Sequence, residues 1–289
     1  MKLTHLDKLY WPEDRITKGD LLKYYSNISK TILLYLKNRP LVMRRFPDGI
    51  EGENFVQKEV GDHVPTLVKT TVVAHHDKKT RYMMVQNTQS LLYAANLGSI
   101  ELHPFNSRFN ALDFPDYMAL DLDPVSLSFD KVVEVAQGIH EILDEIGIPQ
   151  YCKTSGARGL HIYIPLHAKY DYQQIKDFGF LLANLVHQKI PQLTSLERSP
   201  SKREKKVYID YLQNREGQTL VAAYSARGRP HATVSTPLVW DEVKVGLDPT
   251  QFTIDTIPDR LERKGDLFKP ILGKGIDLKK SLNMIQKME

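Results

Sequence analysis

Three aspartates could do chemistry, because each of them interrupts or ends a run of apolar, β-prone residues. Asp121 and Asp123 close the run at 117–123, and residues two apart on a strand point to the same face, about 7 Å apart along the chain. Asp210 interrupts the apolar run at 207–212, where an unpaired carboxylate is unfavourable unless a cation compensates it. Carboxylate oxygens are the ligands that Mg²⁺ and Mn²⁺ prefer. The pattern therefore predicts a divalent-metal site.

Plainer interpretations of these acids stay open from the residues alone. An isolated Asp-x-Asp pair is at least as often a pair of exposed aspartates that cap a turn. Asp210 lies in a basic neighbourhood, so an ion pair with Lys or Arg would also compensate its charge. Periodicity does not decide between a metal ion and an ion pair.

A small, glycine-rich, basic loop occupies 153–159 and leads into a β-prone run. Backbone N–H groups of such a loop can bind phosphate, and Ser155, Arg158 and His161 add side-chain donors. Further along, Arg227 and Arg229 follow another β-prone run, and arginine binds phosphate in a bidentate way. A plain hairpin turn and two surface arginines are the alternatives.

Composition and charge narrow the class of protein. The chain has 289 residues, of which 42% are hydrophobic and 26% charged, which is typical of a globular protein. The formal net charge of +4 is concentrated in 197–229, where eight basic residues face four acidic ones. Such a run is either a solvated loop or a surface for phosphates.

Cysteine usage and hydropathy indicate the cellular compartment of the protein. A single cysteine, Cys152, excludes an intrachain disulfide and a cysteine-rich zinc site, as expected in a reducing compartment. The first residues lack the apolar stretch of a signal peptide, and no apolar run is long enough to span a membrane. The chain is predicted to be cytoplasmic, without a membrane partner.

The elements that must position these side chains follow from periodicity and turn signals. Thr17 and Asp20 form a predicted capping box for a helix over 18–37. Further helices are predicted over 88–96, 129–146 and 172–190, and strands over 41–46, 54–58, 70–75, 80–86, 99–103, 117–123, 150–154, 160–166, 207–212 and 219–225. The second half therefore suits a mixed sheet with helices on one side.

The motifs taken together resemble the polymerase domain of bacterial DNA ligase D, a member of the archaeo-eukaryotic primase superfamily. The matching segments follow the order of the family over nearly the whole chain and are 6–8, 17–18, 39–49, 96–104 (NLGSIELHP), 121–124 (DLDP), 153–166, 210–214 (DYLQN), 234–238 and Trp240. The resemblance implies an α+β fold, with a primase-type catalytic core that has an RRM-like mixed sheet and an N-terminal α/β module. It implies a single domain over 1–289, with the module at about 1–115, the core at about 116–240 and a C-terminal extension at about 241–289.

The resemblance also implies an activity and a set of site residues. The family carries out template-directed nucleotidyl transfer, fills gaps and extends broken ends in non-homologous end joining, and often prefers ribonucleotides and Mn²⁺. Two Mn²⁺ or Mg²⁺ ions are expected. By position, the implied residues are Asp121, Asp123 and Asp210 for metal, Ser155, Arg158, His161, Arg227 and His103 for the nucleotide, Lys8 and Lys18 for a DNA 5′-phosphate, and Phe55 for stacking on the template.

The chain departs from the family pattern at two positions. Arg158 stands where a lysine is common, which retains the charge but changes its geometry. Val56 follows Phe55 where a second aromatic residue can occur, which bears on template stacking.

The partners implied by the resemblance are nucleoside triphosphates and DNA with gaps or broken, 5′-phosphorylated ends. A separate DNA ligase is a candidate partner, because the Lys-x-Asp-Gly signature of adenylation does not occur in the chain. A Ku-like protein is a further candidate that the resemblance implies. The expected location is the cytoplasm, in association with the nucleoid.

Two other functions compete with this interpretation. A Mn²⁺-dependent glycosyltransferase would explain Asp121 and Asp123 but neither Asp210 nor the loop that follows residue 153. A DNA-end-binding module without catalysis would gain nothing from three converging negative charges, because its ligand is a polyanion.

Overall fold

The computed structural model describes residues 2–61, 63–75, 78–203 and 205–287. Contacts divide the chain into two compact units, each assembled from three stretches. Unit 1 comprises Met1–Asn110, Thr219–Thr236 and Pro249–Asp266, and unit 2 comprises Ala111–Gln218, Pro237–Asp248 and Leu267–Glu289. The division into continuous segments at about 115 and 240 stays a prediction.

Strands and helices alternate along the described chain. The strands are β1 (Leu9–Trp11), β2 (Ile16–Thr17), β3 (Leu41–Arg45), β4 (Phe55–Gln57), β5 (Lys69–Ala74), β6 (Lys79–Met84), β7 (Ser99–Pro104), β8 (Ser107–Arg108), β9 (Ala111–Pro115), β10 (Tyr117–Pro124), β11 (Tyr151–Thr154), β12 (Leu160–Pro165), β13 (Thr194–Ser195), β14 (Val207–Asp210) and β15 (Pro237–Leu238). The helices are α1 (Lys18–Asn27), α2 (Ser29–Leu36), α3 (Thr88–Asn96), α4 (Phe129–Glu145), α5 (Tyr172–Lys189), α6 (Ile257–Lys264) and α7 (Leu278–Ile285).

Unit 1 is built on a five-stranded sheet in which β3 pairs antiparallel with β4, β6 and β7, and β5 pairs with β6. Helices α1, α2 and α3 pack against one another, and the described core of this unit includes Leu21, Tyr25, Ile32, Leu36, Leu91 and Ile100. The predicted capping box is confirmed: the Thr17 hydroxyl accepts from Asp20 N (3.1 Å), and the Asp20 carboxylate accepts from Thr17 N (2.8 Å).

The single helix predicted over 18–37 is wrong, because the chain leaves helical geometry at Ile28 and forms two helices. The break lies between Asn27 and Ser29. Both residues are weak helix formers because their side chains compete for backbone hydrogen bonds.

Unit 2 is built on a six-stranded sheet in the order β13-β14-β10-β12-β11-β15, antiparallel except for the β13–β14 pair. Alternate residues of β10 point to opposite faces. Gly179 brings the backbone of α5 against Met118, so α5 covers the face to which Met118 points. Asp121 and Asp123 have the opposite parity and point to the other face. The arrangement confirms the predicted α+β class and a mixed sheet.

The strand predicted over 219–225 is wrong. The segment makes one isolated β-bridge, from Thr219 to Phe105, and no regular ladder: Ala222 N donates to Leu102 O on β7 (2.9 Å) and Tyr224 N donates to Ser235 O in a loop (2.7 Å). Tyr224 also adopts a φ of 67°, which no strand accommodates. The run is apolar because the segment is buried rather than because it is extended.

In the part of the chain that the structure describes, none of the helices has the length and apolar character needed to cross a membrane.

Candidate active site

Four charged or titratable side chains form one row across the sheet of unit 2. Lys153 on β11 is the cross-strand partner of His161 on β12, His161 is the partner of Asp121 on β10, and Asp121 is the partner of Asp210 on β14. Directly opposed residues of antiparallel strands share a face and lie close together. The structure thus brings three predicted site residues together and adds Lys153.

Asp121 and Asp210 are two like charges side by side. Burial raises the pKa of Asp210, and the negative charge of Asp121 raises it further, whereas hydrogen bonds from Gln213 Nε2 (2.9 Å) and Leu212 N (2.9 Å) act in the opposite direction. A cation between two carboxylates would relieve this repulsion. The donor set therefore fits a hard divalent ion that prefers oxygen ligands.

Asp123 points to the same face, and its side chain is half-exposed. Arg203 Nη1 lies 3.2 Å from Asp123 Oδ2, and the guanidinium stacks at 3.9 Å on the ring of Tyr208, the cross-strand partner of Asp123. Among the described residues, no group of three His, Cys, Asp or Glu side chains is arranged to hold an ion. The three-aspartate metal set therefore stays a prediction.

The loop between β11 and β12 is tightly closed on itself. Ser155 N donates to Gly159 O (2.9 Å), and Ser155 Oγ accepts from Ala157 N (3.1 Å) and Gly159 N (3.0 Å). A Cβ at Gly159 would lie 2.3 Å from Leu122 O, so only glycine fits there. Two backbone N–H groups of the loop therefore fix the position of the Ser155 hydroxyl. Arg158 is exposed in this loop.

His103 and Arg227, both predicted to bind the nucleotide, lie in unit 1 and share one partner, Glu101. The Glu101 carboxylate is 1% exposed and lies 3.3 Å from Arg227 Nε, 3.0 Å from His103 Nε2 and 3.1 Å from Gly228 N. Burial alone would raise the pKa of Glu101, but the hydrogen bond from His103 and the charges of Arg227 and His103 hold it at about 2. Glu101 therefore stays ionised and anchors both side chains.

Lys8 and Lys18 come together in unit 1 at the start of α1. Lys18 N donates to Lys8 O (2.8 Å), and Lys8 Nζ donates to Pro47 O (2.9 Å) and pairs with the Asp48 carboxylate. Burial lowers the pKa of Lys18, and the positive charges of Lys8 and Arg45 lower it further. A bound anion would relieve that repulsion, so the pair suits a phosphate.

Phe55, the predicted stacking residue, lies on β4 with 46% of its surface exposed. The Arg45 guanidinium carbon lies 5.1 Å from the centre of its ring. The neighbouring Val56 is also exposed, so this strand presents an apolar surface to solvent.

Sequence reasoning gave no individual role to three residues that hold these clusters together, Glu101, Lys153 and Arg203. Glu101 carries a signal similar to that of Asp210, since it is a carboxylate inside a predicted strand, with Ile100 and Leu102 on either side. Lys153 and Arg203 carried only weak signals, a strand end and a basic run. Their importance follows from strand pairing and tertiary contact, which the sequence does not display.

Comparison with known proteins identifies the family. The profile described as "LigD, primase-polymerase domain" matches residues 17–268. The chain belongs to the LigD primase-polymerase domain family. Domains of this family are primase-type nucleotidyltransferases that act in non-homologous end joining, and they are metal-dependent.

Individual relatives agree with this assignment to the LigD primase-polymerase family. The chain is 35% identical over 268 residues to the bifunctional non-homologous end joining protein LigD of Bacillus subtilis, covering 92% of this chain and 43% of that protein. It is 29% identical over 276 residues to the multifunctional LigD of Mycolicibacterium smegmatis, covering 94% of this chain and 36% of that protein. The chain thus spans less than half the length of these relatives.

A solved structure confirms the primase-polymerase fold. The polymerase domain from Mycobacterium tuberculosis ligase D in complex with DNA superposes with a TM-score of 0.88 at 28% sequence identity, covering 96% of this chain and 99% of that one. This match confirms the α+β primase-type fold predicted from the sequence.

Proposed function

We propose that this LigD-type domain adds nucleotides to the 3′ ends of DNA primers at gaps and broken ends, directed by a template, with a preference for ribonucleotides and for a 5′-phosphate across the gap. The observation that carries the proposal is the row of Lys153, His161, Asp121 and Asp210, in which two like-charged carboxylates lie side by side on one face of the sheet.

Asp121, Asp123 and Asp210 would hold the metal, and two Mn²⁺ or Mg²⁺ ions are the form we propose. When bound, such ions lower the pKa of the attacking hydroxyl and offset charge on the transferred phosphate. Arg203 holds Asp123 at 3.2 Å in the structure, so this carboxylate is already oriented by a cation.

The side chains of the domain would supply the remaining electrostatic stabilisation. By the family pattern, Ser155 would contact the nucleotide from a position that two backbone N–H groups fix. Arg158 offers an exposed guanidinium from the same loop. By the family pattern, Arg227 and His103 would bind the nucleotide, and Glu101 holds each of them in place. Preorganised donors of this kind need no rearrangement at the moment of reaction.

Lys8, Lys18 and Phe55 are the proposed DNA contacts. Lys8 and Lys18 would bind the 5′-phosphate, since their mutual repulsion is relieved by an anion. Phe55 would stack on a template base, because its ring is exposed and base stacking on aromatic rings is tolerant of sequence. A separate DNA ligase and a Ku-like protein are the proposed partners, in keeping with relatives named as end-joining proteins. The proposed location of the protein is the nucleoid.

A primer-extension assay tests the proposal. With Mn²⁺, we expect the chain to extend a primer on gapped DNA, faster with ribonucleotides than with deoxyribonucleotides and faster when the gap carries a 5′-phosphate. Asp121→Ala should abolish extension and leave DNA binding in a mobility-shift assay nearly unchanged. Full extension by that variant would remove Asp121 from the reaction, and turnover of a nucleotide sugar in place of extension would favour the glycosyltransferase.

A further inference from the structure

Lys153 is a lysine with no exposed surface, placed at one end of the row across the sheet. Its Nζ lies 2.9 Å from His161 Nδ1 and 5.5 Å from the centre of the Tyr163 ring. Fully buried lysines are rare, and an ammonium group leaves water at a large cost in free energy unless neighbouring groups compensate it. A residue held under these conditions needs a role.

The ammonium form of Lys153 gives this hydrogen bond its direction. A lysine ammonium has three donors and no acceptor, so beside it Nδ1 of His161 is the acceptor and carries no proton. In the neutral imidazole the proton is then on Nε2. Nε2 is the ring nitrogen that lies 3.3 Å from Asp121 Oδ1.

We propose that Lys153 is a positioning residue of the nucleotidyl-transfer site: it fixes His161 in the tautomer protonated on Nε2, so that His161 donates to Asp121 and orients its carboxylate. What the oriented carboxylate does rests on the proposed function. The orientation itself rests on the two contacts of His161, one on each ring nitrogen.

The sheet holds Lys153, His161 and Asp121 rigidly in place. Lys153 and His161 are cross-strand partners in the β11–β12 pair, and His161 and Asp121 are cross-strand partners in the β12–β10 pair. The backbone ladders therefore set the spacing of all three side chains, and His161 itself is 3% exposed. A hydrogen bond to a metal-binding group from a second residue is a common means of fixing its orientation.

Nuclear magnetic resonance tests the tautomer directly. Long-range ¹H–¹⁵N correlation spectra of the metal-free full chain, labelled with ¹⁵N-histidine, show which ring nitrogen carries the proton. His161→Gln serves only to assign the His161 signal. We expect the proton of His161 on Nε2. A proton on Nδ1 would mean that His161 donates to Lys153, and it would overturn the proposal without any variant of Lys153.

Variants of Lys153 test whether this residue determines the tautomer of His161. In Lys153→Met the donor is lost, and we expect His161 to become a mixture of both tautomers. Lys153→Arg should restore the Nε2–H form, because a guanidinium also has donors only. The matched control is Lys189→Met, which removes a surface lysine paired with Glu145 and should leave the spectrum of His161 unchanged. An unchanged tautomer in a folded Lys153→Met protein would overturn the positioning role. If that variant does not fold, the tautomer of His161 in the wild type and in Lys153→Arg decides whether the proposal holds.

Binding of Mn²⁺, followed by the electron paramagnetic resonance signal of the free ion, links the tautomer to the site. We expect the dissociation constant to rise about tenfold in Lys153→Met and to recover in Lys153→Arg. An unchanged constant would overturn the link between His161 and Asp121. Failure of the wild type to bind Mn²⁺ and to extend primers, with the Nε2 proton in place, would instead refute the proposed function.

Discussion

The Glu101 carboxylate lies 3.3 Å from Arg227 Nε and is almost completely buried. His103 contacts the same carboxylate. Glu101 and His103 are two residues apart on β7, whereas Arg227 is far away in sequence. A single buried anion thus fixes two cationic or titratable side chains that the family pattern assigns to the nucleotide. This arrangement makes the stability of unit 1 depend on pH.

Glu101→Gln should remove an acid-sensitive part of the stability. Because the pKa of Glu101 in the folded chain is about 2, below its ordinary value of 4.5, the carboxylate contributes stability that is fully present above pH 4.5 and is lost as the pH falls towards 2. The free energy of unfolding of the wild type should exceed that of the variant by about 3 kcal/mol at neutral pH. This difference should shrink as the pH falls from 4.5 towards 2. Urea unfolding of both proteins from pH 7 to pH 2.5 measures it. A constant difference over this range would contradict the assignment.

Asp210→Asn should stabilise the protein while abolishing extension. The pKa of Asp210 is raised by burial and by the charge of Asp121, so the ionised form is unfavourable in the folded state. Asparagine keeps one acceptor oxygen for Leu212 N, presents its NH2 group to Gln213, whose amide can turn to accept, and removes the repulsion. We expect the free energy of unfolding at pH 7, measured in urea without added metal, to rise by about 0.5–2 kcal/mol, the usual range for a stabilising charge substitution.

Asp123→Asn is the matched control for that variant. It breaks the ion pair with Arg203 instead of relieving repulsion, so it should not stabilise the protein although it should also impair extension. Equal stabilisation by both variants would show that the repulsion between Asp121 and Asp210 is not its source.

Gly159→Ala should be strongly destabilising, because the added Cβ would lie 2.3 Å from the Leu122 carbonyl oxygen on β10. Relieving such an overlap requires the loop or the strand to shift, which costs about 1–3 kcal/mol. The control is Gly61→Ala, where no atom lies within 4 Å of the added Cβ. Thermal unfolding followed by circular dichroism compares the two. A Gly159→Ala protein as stable as the control would contradict the close approach of loop and strand.

Local sequence signals were sufficient for the elements that pack on the sheet. The helices predicted over 129–146 and 172–190 are observed at Phe129–Glu145 and Tyr172–Lys189, because their apolar residues recur with helical spacing and Asp171 caps the second one. The strand predicted over 160–166 is observed at Leu160–Pro165. In these segments, pattern and tertiary packing favour the same structure.

The row of side chains in the site could not be predicted in the same way. The signals for Asp121 and Asp210 came from charges in apolar runs, but their adjacency depends on the register of β10 against β14, strands separated by α4, β11, β12, α5 and β13. Register is set by long-range packing of one sheet face rather than by local pattern. The same holds for 219–225, whose backbone bonds to Leu102 on β7, distant in sequence, and to Ser235.

Lys8→Gln and Lys18→Gln should each weaken the preference for a 5′-phosphorylated gap. If each lysine neutralises one phosphate, the slope of log binding constant against log salt should fall by about one for each variant. Lys30→Gln, an exposed lysine on α2 of the same unit, is the matched control and should change neither quantity.

Fluorescence anisotropy with gapped DNA, with and without the 5′-phosphate and at several salt concentrations, measures both quantities. Since Lys18 is held next to Lys8 and Arg45 with its pKa lowered, we expect a second effect: the gap phosphate should stabilise the wild type against heat, and Lys18→Gln should lose this stabilisation. A Lys18→Gln protein that keeps both the phosphate preference and the thermal shift would exclude this lysine from the phosphate site, and the same result for Lys8→Gln would exclude the whole pair.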